Sequence, residues 1–143
     1  MKTKVITLCA SFSFYKELLE IATELKKRGL KVLVPATAAK IKRNNFNYNK
    51  TWFTDPKDWK LKTNLIKGHL KKVAMGDSIL VINALKHDQE GYIGGNVLME
   101  MTVAFYLKKK IYLWRPPAKN SPLYEEIMGI NPIIINQDLT KIN

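Results

Sequence analysis

The 143-residue sequence lacks the features of membrane-inserted and disulfide-bonded proteins. It has no apolar run of the roughly 18 residues that a membrane-spanning helix needs. Its first residues, MKTKVITLCASF, hold too short an apolar stretch for a signal peptide and continue at once into a predicted helix. The single cysteine, Cys9, has no partner for an internal disulfide. We therefore expect a cytoplasmic protein.

Common cofactor and metal motifs are also missing. Residues 91–96, GYIGGN, lack the GxGxxG spacing of a dinucleotide-binding loop, and no GxxxxGK[ST] loop occurs. The two histidines, His69 and His87, have no ligand-spaced partners, so we predict that both lie on the surface and that no metal is bound. Cys9 is interpreted as a small buried residue rather than a nucleophile. The sequence thus predicts no cofactor.

Acidic residues are scarce, with 12 Asp and Glu against 24 Lys and Arg, which gives a formal net charge of +12. Such a balance favours a phosphorylated or polyanionic partner. However, only three of the basic residues are arginine, the residue that nucleic-acid readers use for bidentate contacts. Lysine-rich composition is equally typical of a solvated surface. Nucleic-acid binding is therefore disfavoured, although a non-catalytic nucleotide- or nucleic-acid-binding module stays open as the alternative function.

Short apolar segments alternate with amphipathic segments along the whole chain. The predicted strands lie at 4–9, 31–34, 78–83, 111–114 and 132–135. The helix predicted after the first strand can be capped by Ser11 or Ser13, and its apolar face consists of Phe14, Leu18, Ile21, Ala22 and Leu25. Another helix, predicted over 59–75, has an apolar face of Leu61, Leu65, Ile66, Leu70 and Val73. This alternation predicts one α/β domain over residues 1–143, a flavodoxin-like three-layer sandwich around a five-stranded parallel sheet of order 2-1-3-4-5. Residues 35–58 break the pattern after a possible helical turn and are predicted to form a long loop or lid. That loop either contacts a ligand or a second subunit, or packs its aromatic residues onto its own domain.

A ligand site is expected where the strand order reverses, beyond the carboxyl ends of strands 1 and 3. The loops at 10–13 and 83–95 meet there, and each leads into a helix whose free N–H groups suit an anion. The glycines of the second loop are expected to let the backbone approach a ligand. The predicted substrate-binding residues are Ala10, Ser11, Phe12, Ser13, Asn83, Gly91, Tyr92, Gly94 and Asn96.

One carboxylate, Glu100, lies inside the apolar segment VLMEMTVAF near the start of a predicted helix. A charge in such a setting is costly unless it is paired or has a task. It is either stabilised by the helix dipole or a lysine, or it acts as the nucleophile or general base of glycosyl chemistry. A second acid would then assist the leaving group. Asp77 is the first candidate, with Asp88 and Glu90 as alternatives.

Three segments together form a recognisable set. They are ITLCAS at 6–11, DSILVIN at 77–83, and GYIG at 91–94 followed by Glu100, Ala104 and KIY at 110–112. They resemble the CGS opening, the central strand and the GYxG…E…A…K-I-Y block of the nucleoside 2-deoxyribosyltransferase-like superfamily. This superfamily includes nucleoside deoxyribosyltransferases and 2'-deoxynucleoside 5'-monophosphate N-glycosidases. The resemblance extends in order over nearly the whole chain.

The resemblance implies a flavodoxin-like fold, a homodimer or higher oligomer, and cleavage of the N-glycosidic bond of a nucleoside or its 5'-monophosphate. It also implies that Glu100 attacks C1' of the sugar and that Asp77 assists the leaving base. The sequence departs from the family pattern in three ways: Ala10 replaces a glycine, Phe12 and Ser13 stand where the nucleotide hydrolases carry an arginine, and Gly94 replaces the aspartate of the transferases. The last departure favours a hydrolase over a transferase.

Overall fold

The chain folds around a parallel β-sheet that is covered by helices on both faces. The structure, a computed structural model, describes residues 2–44 and 49–143. Its strands are β1 (Val5–Ala10), β2 (Lys31–Leu33), β3 (Ser78–Ile82), β4 (Lys110–Leu113) and β5 (Ile133–Ile134), and its helices are α1 (Tyr15–Lys27), α2 (Ala36–Asn44), α3 (Trp59–Met75), α4 (Gly95–Tyr106) and α5 (Tyr124–Gly129). All neighbouring strands pair in parallel, in the order β2-β1-β3-β4-β5. This confirms the predicted flavodoxin-like α/β architecture.

The central strands β1 and β3 supply two separate cores, because alternate side chains of a strand point to opposite faces. Ile6, Leu8 and Leu80 pack on the face that α1 covers. Cys9 and Val81 pack on the opposite face, together with buried residues of α3 and α4. Cys9 is fully buried, as predicted. Its thiol therefore lies on the face that α3 and α4 cover.

Helix α1 buries the apolar face predicted from its three- and four-residue spacing. Phe14 just before the helix and Leu18, Ile21, Ala22 and Leu25 within it are all buried. The prediction that Ser11 or Ser13 caps this helix is wrong. A 3-10 turn over Phe12–Phe14 comes first, and neither the turn nor the helix has a side-chain hydrogen bond at its N-cap.

Helix α3 has the predicted bounds but a different inward face. Leu61, predicted to be apolar core, is 51% exposed, whereas His69 is 8% exposed. The prediction that His69 lies on the surface is therefore wrong. The physical reason is helical periodicity: His69 is four residues from both Leu65 and Val73, so it lies on the same stripe of the helix. Val73 is fully buried at the sheet.

The predicted loop at 35–58 is partly helical. The possible helical turn after Pro35 is confirmed and extends as α2 to Asn44. Residues 45–48 lie outside the described part of the chain. Of the aromatic residues that follow, Trp52 is 4% exposed and packs onto its own domain, while Phe53 is 72% exposed. A lid function for this segment stays a prediction.

Among the described helices, none is both long enough and apolar enough to cross a membrane.

Candidate active site

A cleft of about 490 Å³ opens beside the carboxyl end of β1, between α3 and the start of α4. Six of the nine predicted substrate-binding residues line it: Ala10, Ser11, Phe12, Tyr92, Gly94 and Asn96. Further lining comes from the first turn of α2 and from α3. The cleft lies at the edge of the sheet where β1 and β3 end, which is where ligands bind in this class of sheet.

Ser13, Asn83 and Gly91 are not among the residues that line the cleft. Asn83 is fully buried, and its side chain accepts a hydrogen bond from Arg115 N at 2.9 Å and donates one to Arg115 O at 2.8 Å. Gly91 has φ +87°, and a Cβ there would lie 2.1 Å from the backbone oxygen of Pro116. The absent side chain thus lets the loop pass close to Pro116, and the expectation that Gly91 brings the backbone close to a ligand stays a prediction. Asn83 and Gly91 fasten the loop that carries Tyr92 to the segment after β4.

Glu100 lies in the second turn of α4, and its carboxylate reaches the cleft wall with 13% of its side chain exposed. Among the described residues, its carboxylate forms no salt bridge with a lysine or arginine. Burial raises the pKa of Glu100 to about 7, against the opposing effects of the Cys9 thiol and the Lys62 ammonium. At neutral pH, carboxyl and carboxylate forms thus coexist, which suits a group that must gain and lose charge during a reaction.

Two polar side chains accompany Glu100 at the base of the cleft. The Cys9 thiol, at the end of β1, lies within hydrogen-bonding reach of the Glu100 carboxylate. His69 Nε2, on α3, lies 3.7 Å from Glu100 Oε1. That distance is too long for a hydrogen bond. Burial, followed by the charge of Lys72, lowers the pKa of His69 to about 4, so its ring is neutral at neutral pH.

Lysines from separate segments converge on the same cleft. Lys50, Lys62 and Lys86 all line it. Burial and then the charge of Lys50 lower the pKa of Lys62 and also that of Lys86. The Lys86 ammonium donates a hydrogen bond to Ser11 Oγ at 3.0 Å and lies 5.4 Å from the centre of the Tyr92 ring. Because these ammonium groups repel one another, a bound anion would stabilise the arrangement.

The structure separates Asp77 from Glu100. Asp77 immediately precedes β3, at the amino edge of the sheet, and its carboxylate accepts a hydrogen bond from Val5 N at 2.8 Å. It lines a shallow depression with Lys4 and Lys110 at that edge, opposite to the cleft. The alternatives Asp88 and Glu90 are exposed and do not line the cleft either. Among the described residues, the cleft therefore holds one carboxylate, Glu100.

Replacing Asp77 by alanine should leave unchanged the base release that the sequence resemblance implies. The substitution removes one hydrogen bond to the start of β1, so we expect the free energy of unfolding to fall by about 1 kcal/mol. Urea denaturation measures the stability, and release of a base from substrate measures the activity. A tenfold or larger fall in turnover at unchanged stability would show that Asp77 takes part in the reaction.

Sequence reasoning missed His69, Lys62 and the convergence of lysines. Helical spacing could have found the first two, because residues 62, 65, 69 and 73 recur at three- and four-residue steps along α3. A polar residue on an otherwise apolar stripe is the signal that was available. No local pattern relates Lys86 to Lys50 or Lys62, since they belong to segments that only the fold brings together.

No protein-family model matches this chain. No curated protein matches it by sequence either. Solved structures do match. The structure of a 2-deoxyribosyltransferase from the psychrotolerant bacterium Bacillus psychrosaccharolyticus superposes with a TM-score of 0.56 at 15% identity, covering 91% of this chain and 97% of that one. The CMP N-glycosidase BcmB of Clostridium botulinum superposes with a TM-score of 0.50 at 16% identity, covering 93% of this chain and 89% of that one. Both are enzymes of the kinds that the sequence resemblance names, and the chain shares their fold.

Proposed function

We propose that this protein cleaves the N-glycosidic bond of a nucleoside or a nucleoside 5'-monophosphate. The observation that carries the proposal is Glu100: a carboxylate held in the wall of a cleft, without a lysine or arginine partner among the described residues, and with a pKa raised to about 7 by burial. Groups perturbed in this way and placed in a cleft are candidates for catalysis. The fold shared with a deoxyribosyltransferase and an N-glycosidase supports the same reaction class.

In the proposed first step, a Glu100 carboxylate oxygen attacks C1' of the sugar. A C–O ester bond forms as the C–N bond to the base breaks, and the base leaves with the bonding electron pair. The cleft holds no second carboxylate among the described residues, so the departing base takes its proton from water that enters the cleft. In the second step, water attacks C1', its proton passes to solvent, and Glu100 is released as a carboxylate. An acceptor base in place of water would give transfer, and Gly94, which replaces an acid of the transferases, favours water.

We infer that the preferred substrate carries a 5'-phosphate. Lys50, Lys62 and Lys86 line the cleft, and Lys86 is hydrogen-bonded to Ser11 Oγ next to the end of β1. This set supplies charge and hydrogen-bond donors for a phosphate without the arginine that nucleotide hydrolases of the resembled superfamily carry. A neutral nucleoside would leave the mutual repulsion of the lysines uncompensated.

The direct test is to incubate the protein with a panel of ribo- and deoxyribonucleosides and their 5'-monophosphates, and to measure base release by chromatography. We expect release from at least one monophosphate. Acid quenching during turnover followed by peptide mass spectrometry should find a glycosyl adduct on the peptide that contains Glu100. Turnover without an adduct would favour direct attack by water with Glu100 as the base. No release from any member of the panel would overturn the proposal.

Replacing Lys86 by glutamine should weaken use of the monophosphate selectively. Loss of one charge-assisted hydrogen bond of about 1.5–3 kcal/mol corresponds to a rise in KM of about 10- to 100-fold, with little change for the unphosphorylated nucleoside. Steady-state kinetics on both substrates measures this split. Lys16, exposed on α1 away from the cleft, gives the matched Lys16→Gln control. Equal losses on both substrates would show that Lys86 does not select the phosphate.

The same lysine-lined cleft would also serve a non-catalytic nucleotide-binding module. The substitution Glu100→Gln distinguishes the two functions. A binding module would show no turnover as wild type or as Glu100→Gln, and the substitution would leave its nucleotide affinity unchanged. An enzyme would lose turnover on the same substitution while still binding the monophosphate.

A further inference from the structure

Three potential metal ligands meet at the base of the cleft. Cys9 comes from β1, His69 from α3 and Glu100 from α4, and none of their ligand atoms lies more than 4.8 Å from another. His69 Nε2 and Glu100 Oε1 are 3.7 Å apart. Zn²⁺ binds a thiolate sulfur at about 2.3 Å and imidazole nitrogen or carboxylate oxygen at about 2.0–2.2 Å. Movements of an ångström or less in the three side chains would bring these atoms to such distances.

His69 is the observation that points to an ion. Its side chain is 9% exposed, and neither ring nitrogen has a partner at full hydrogen-bond geometry among the described residues, although the Leu8 backbone lies near enough to favour the protonated ring. Leaving a buried polar group without a partner destabilises the fold. An imidazole binds a metal ion through the lone pair of a ring nitrogen. A cation between His69, Cys9 and Glu100 would satisfy that nitrogen.

We propose that Cys9, His69 and Glu100 form a binding site for one zinc ion, with the fourth coordination position open to the cleft. A thiolate and a carboxylate together carry two negative charges, so a bound Zn²⁺ makes the buried set neutral. Binding releases the thiol proton to solvent, because the thiolate is the ligand form. The thiolate disfavours Mg²⁺ and Ca²⁺, which prefer oxygen ligands.

The ion enters from the cleft, because His69 and Glu100 line it while Cys9 lies behind them. Bound Zn²⁺ occupies the carboxylate of Glu100. It should therefore compete with substrate, a consequence that rests on the proposed function. The existence of the site does not rest on it, since metal binding is measured without any substrate.

The experiment uses the untagged full-length protein, treated with a chelator and then dialysed. Calorimetric titration with Zn²⁺ should show one ion per chain, and titration with Co²⁺ should show a near-ultraviolet charge-transfer band from thiolate to metal. Cys9→Ser should abolish that band. Cys9→Ser and His69→Gln should each lower Zn²⁺ affinity by about 100-fold or more. His87→Asn is the matched control, because His87 is exposed and asparagine tolerates its φ of +52°. It should keep both signals.

Absence of the thiolate band in the wild-type protein would overturn the proposal, whatever the variants do. Wild-type Zn²⁺ affinity in both Cys9→Ser and His69→Gln would overturn it as well. Near-ultraviolet circular dichroism establishes whether each variant is folded. If a variant is misfolded, the cobalt spectrum of the wild-type protein alone tests whether the metal site exists. In a separate arm, Zn²⁺ should inhibit base release and a chelator should restore it. If the protein releases no base at all, the binding data still decide the metal site.

Discussion

Replacing Glu100 by glutamine should lower base release by about 10³-fold or more while the protein stays folded. Removal of the nucleophile from an enzyme that acts through a covalent intermediate has effects of this order or greater. Glutamine keeps the shape of the side chain and its hydrogen-bonding capacity but cannot form the glycosyl ester. Single-turnover chromatography of the released base, in a buffer that contains a chelator, gives the rate over the required range.

The structural cost of this substitution should be small or favourable. Glu100 is largely buried without a lysine or arginine partner among the described residues, and the neutral amide removes the penalty of a buried charge. We therefore expect the melting temperature of Glu100→Gln to equal or exceed that of the wild type. Glu20, exposed on α1, gives the control Glu20→Gln, which should match the wild type in rate. If the Glu100→Gln protein retained a tenth of the wild-type rate, Glu100 would not be the nucleophile of the reaction.

The monophosphate should still bind to the Glu100→Gln protein. The ammonium groups of Lys50 and Lys86 are untouched, and the neighbouring negative charge of Glu100 is gone. Calorimetric titration of the inactive variant with a substrate monophosphate then measures binding in the absence of turnover. Loss of binding together with turnover would mean that Glu100 contributes to affinity rather than to the chemical step.

Periodicity in the sequence was sufficient to predict the sheet order, the bounds of α3 and the position of Glu100 near the start of α4. These features depend on local patterns, namely buried strands, amphipathic helices and one charge in an apolar segment. The placement of Glu100 at the cleft followed from a rule about where parallel strands end. Such a rule needs only the order of the strands, which the alternation of elements supplied.

The side chains that surround Glu100 could not be predicted in the same way. Histidine is polar, so His69 was predicted to lie on the surface of α3. Its helical spacing, however, places it on the buried stripe. Asp77 resembled a catalytic acid by motif, yet the start of a strand lies at the opposite edge of the sheet from the cleft. Lys50, Lys62 and Lys86 meet only because the segment after α2, helix α3 and the loop after β3 all line one cleft. Contacts between distant segments are properties of the packed fold, and no local pattern encodes them.

Replacing Gly91 by alanine should destabilise the protein by about 3 kcal/mol. The residue has φ +87°, which costs a non-glycine residue about 1 kcal/mol or more, and the new Cβ would lie 2.1 Å from Pro116 O. Backbone cannot move aside as a flexible side chain can, so the clash adds about 1–3 kcal/mol. Urea denaturation measures the loss. Gly129 provides the matched control: a Cβ there meets nothing within 4 Å, so Gly129→Ala should change stability by less than about 1 kcal/mol.

The effect of Gly91→Ala should also reach the cleft. Gly91 N donates to Ala84 O, and Gly91 O accepts from Ala118 N, so this one residue joins the two arms of the loop to the segment after β4. The tight turn at Lys86 and Gln89 lies between those arms and places the Lys86 ammonium against Ser11. Moving Gly91 away from Pro116 therefore moves Lys86. We expect the folded fraction of Gly91→Ala to show the raised KM for the monophosphate that Lys86→Gln shows, whereas Gly129→Ala keeps the wild-type value. A Gly91→Ala protein with lowered stability but wild-type KM would mean that Ser11 and the Tyr92 ring hold Lys86 in place without the loop anchor.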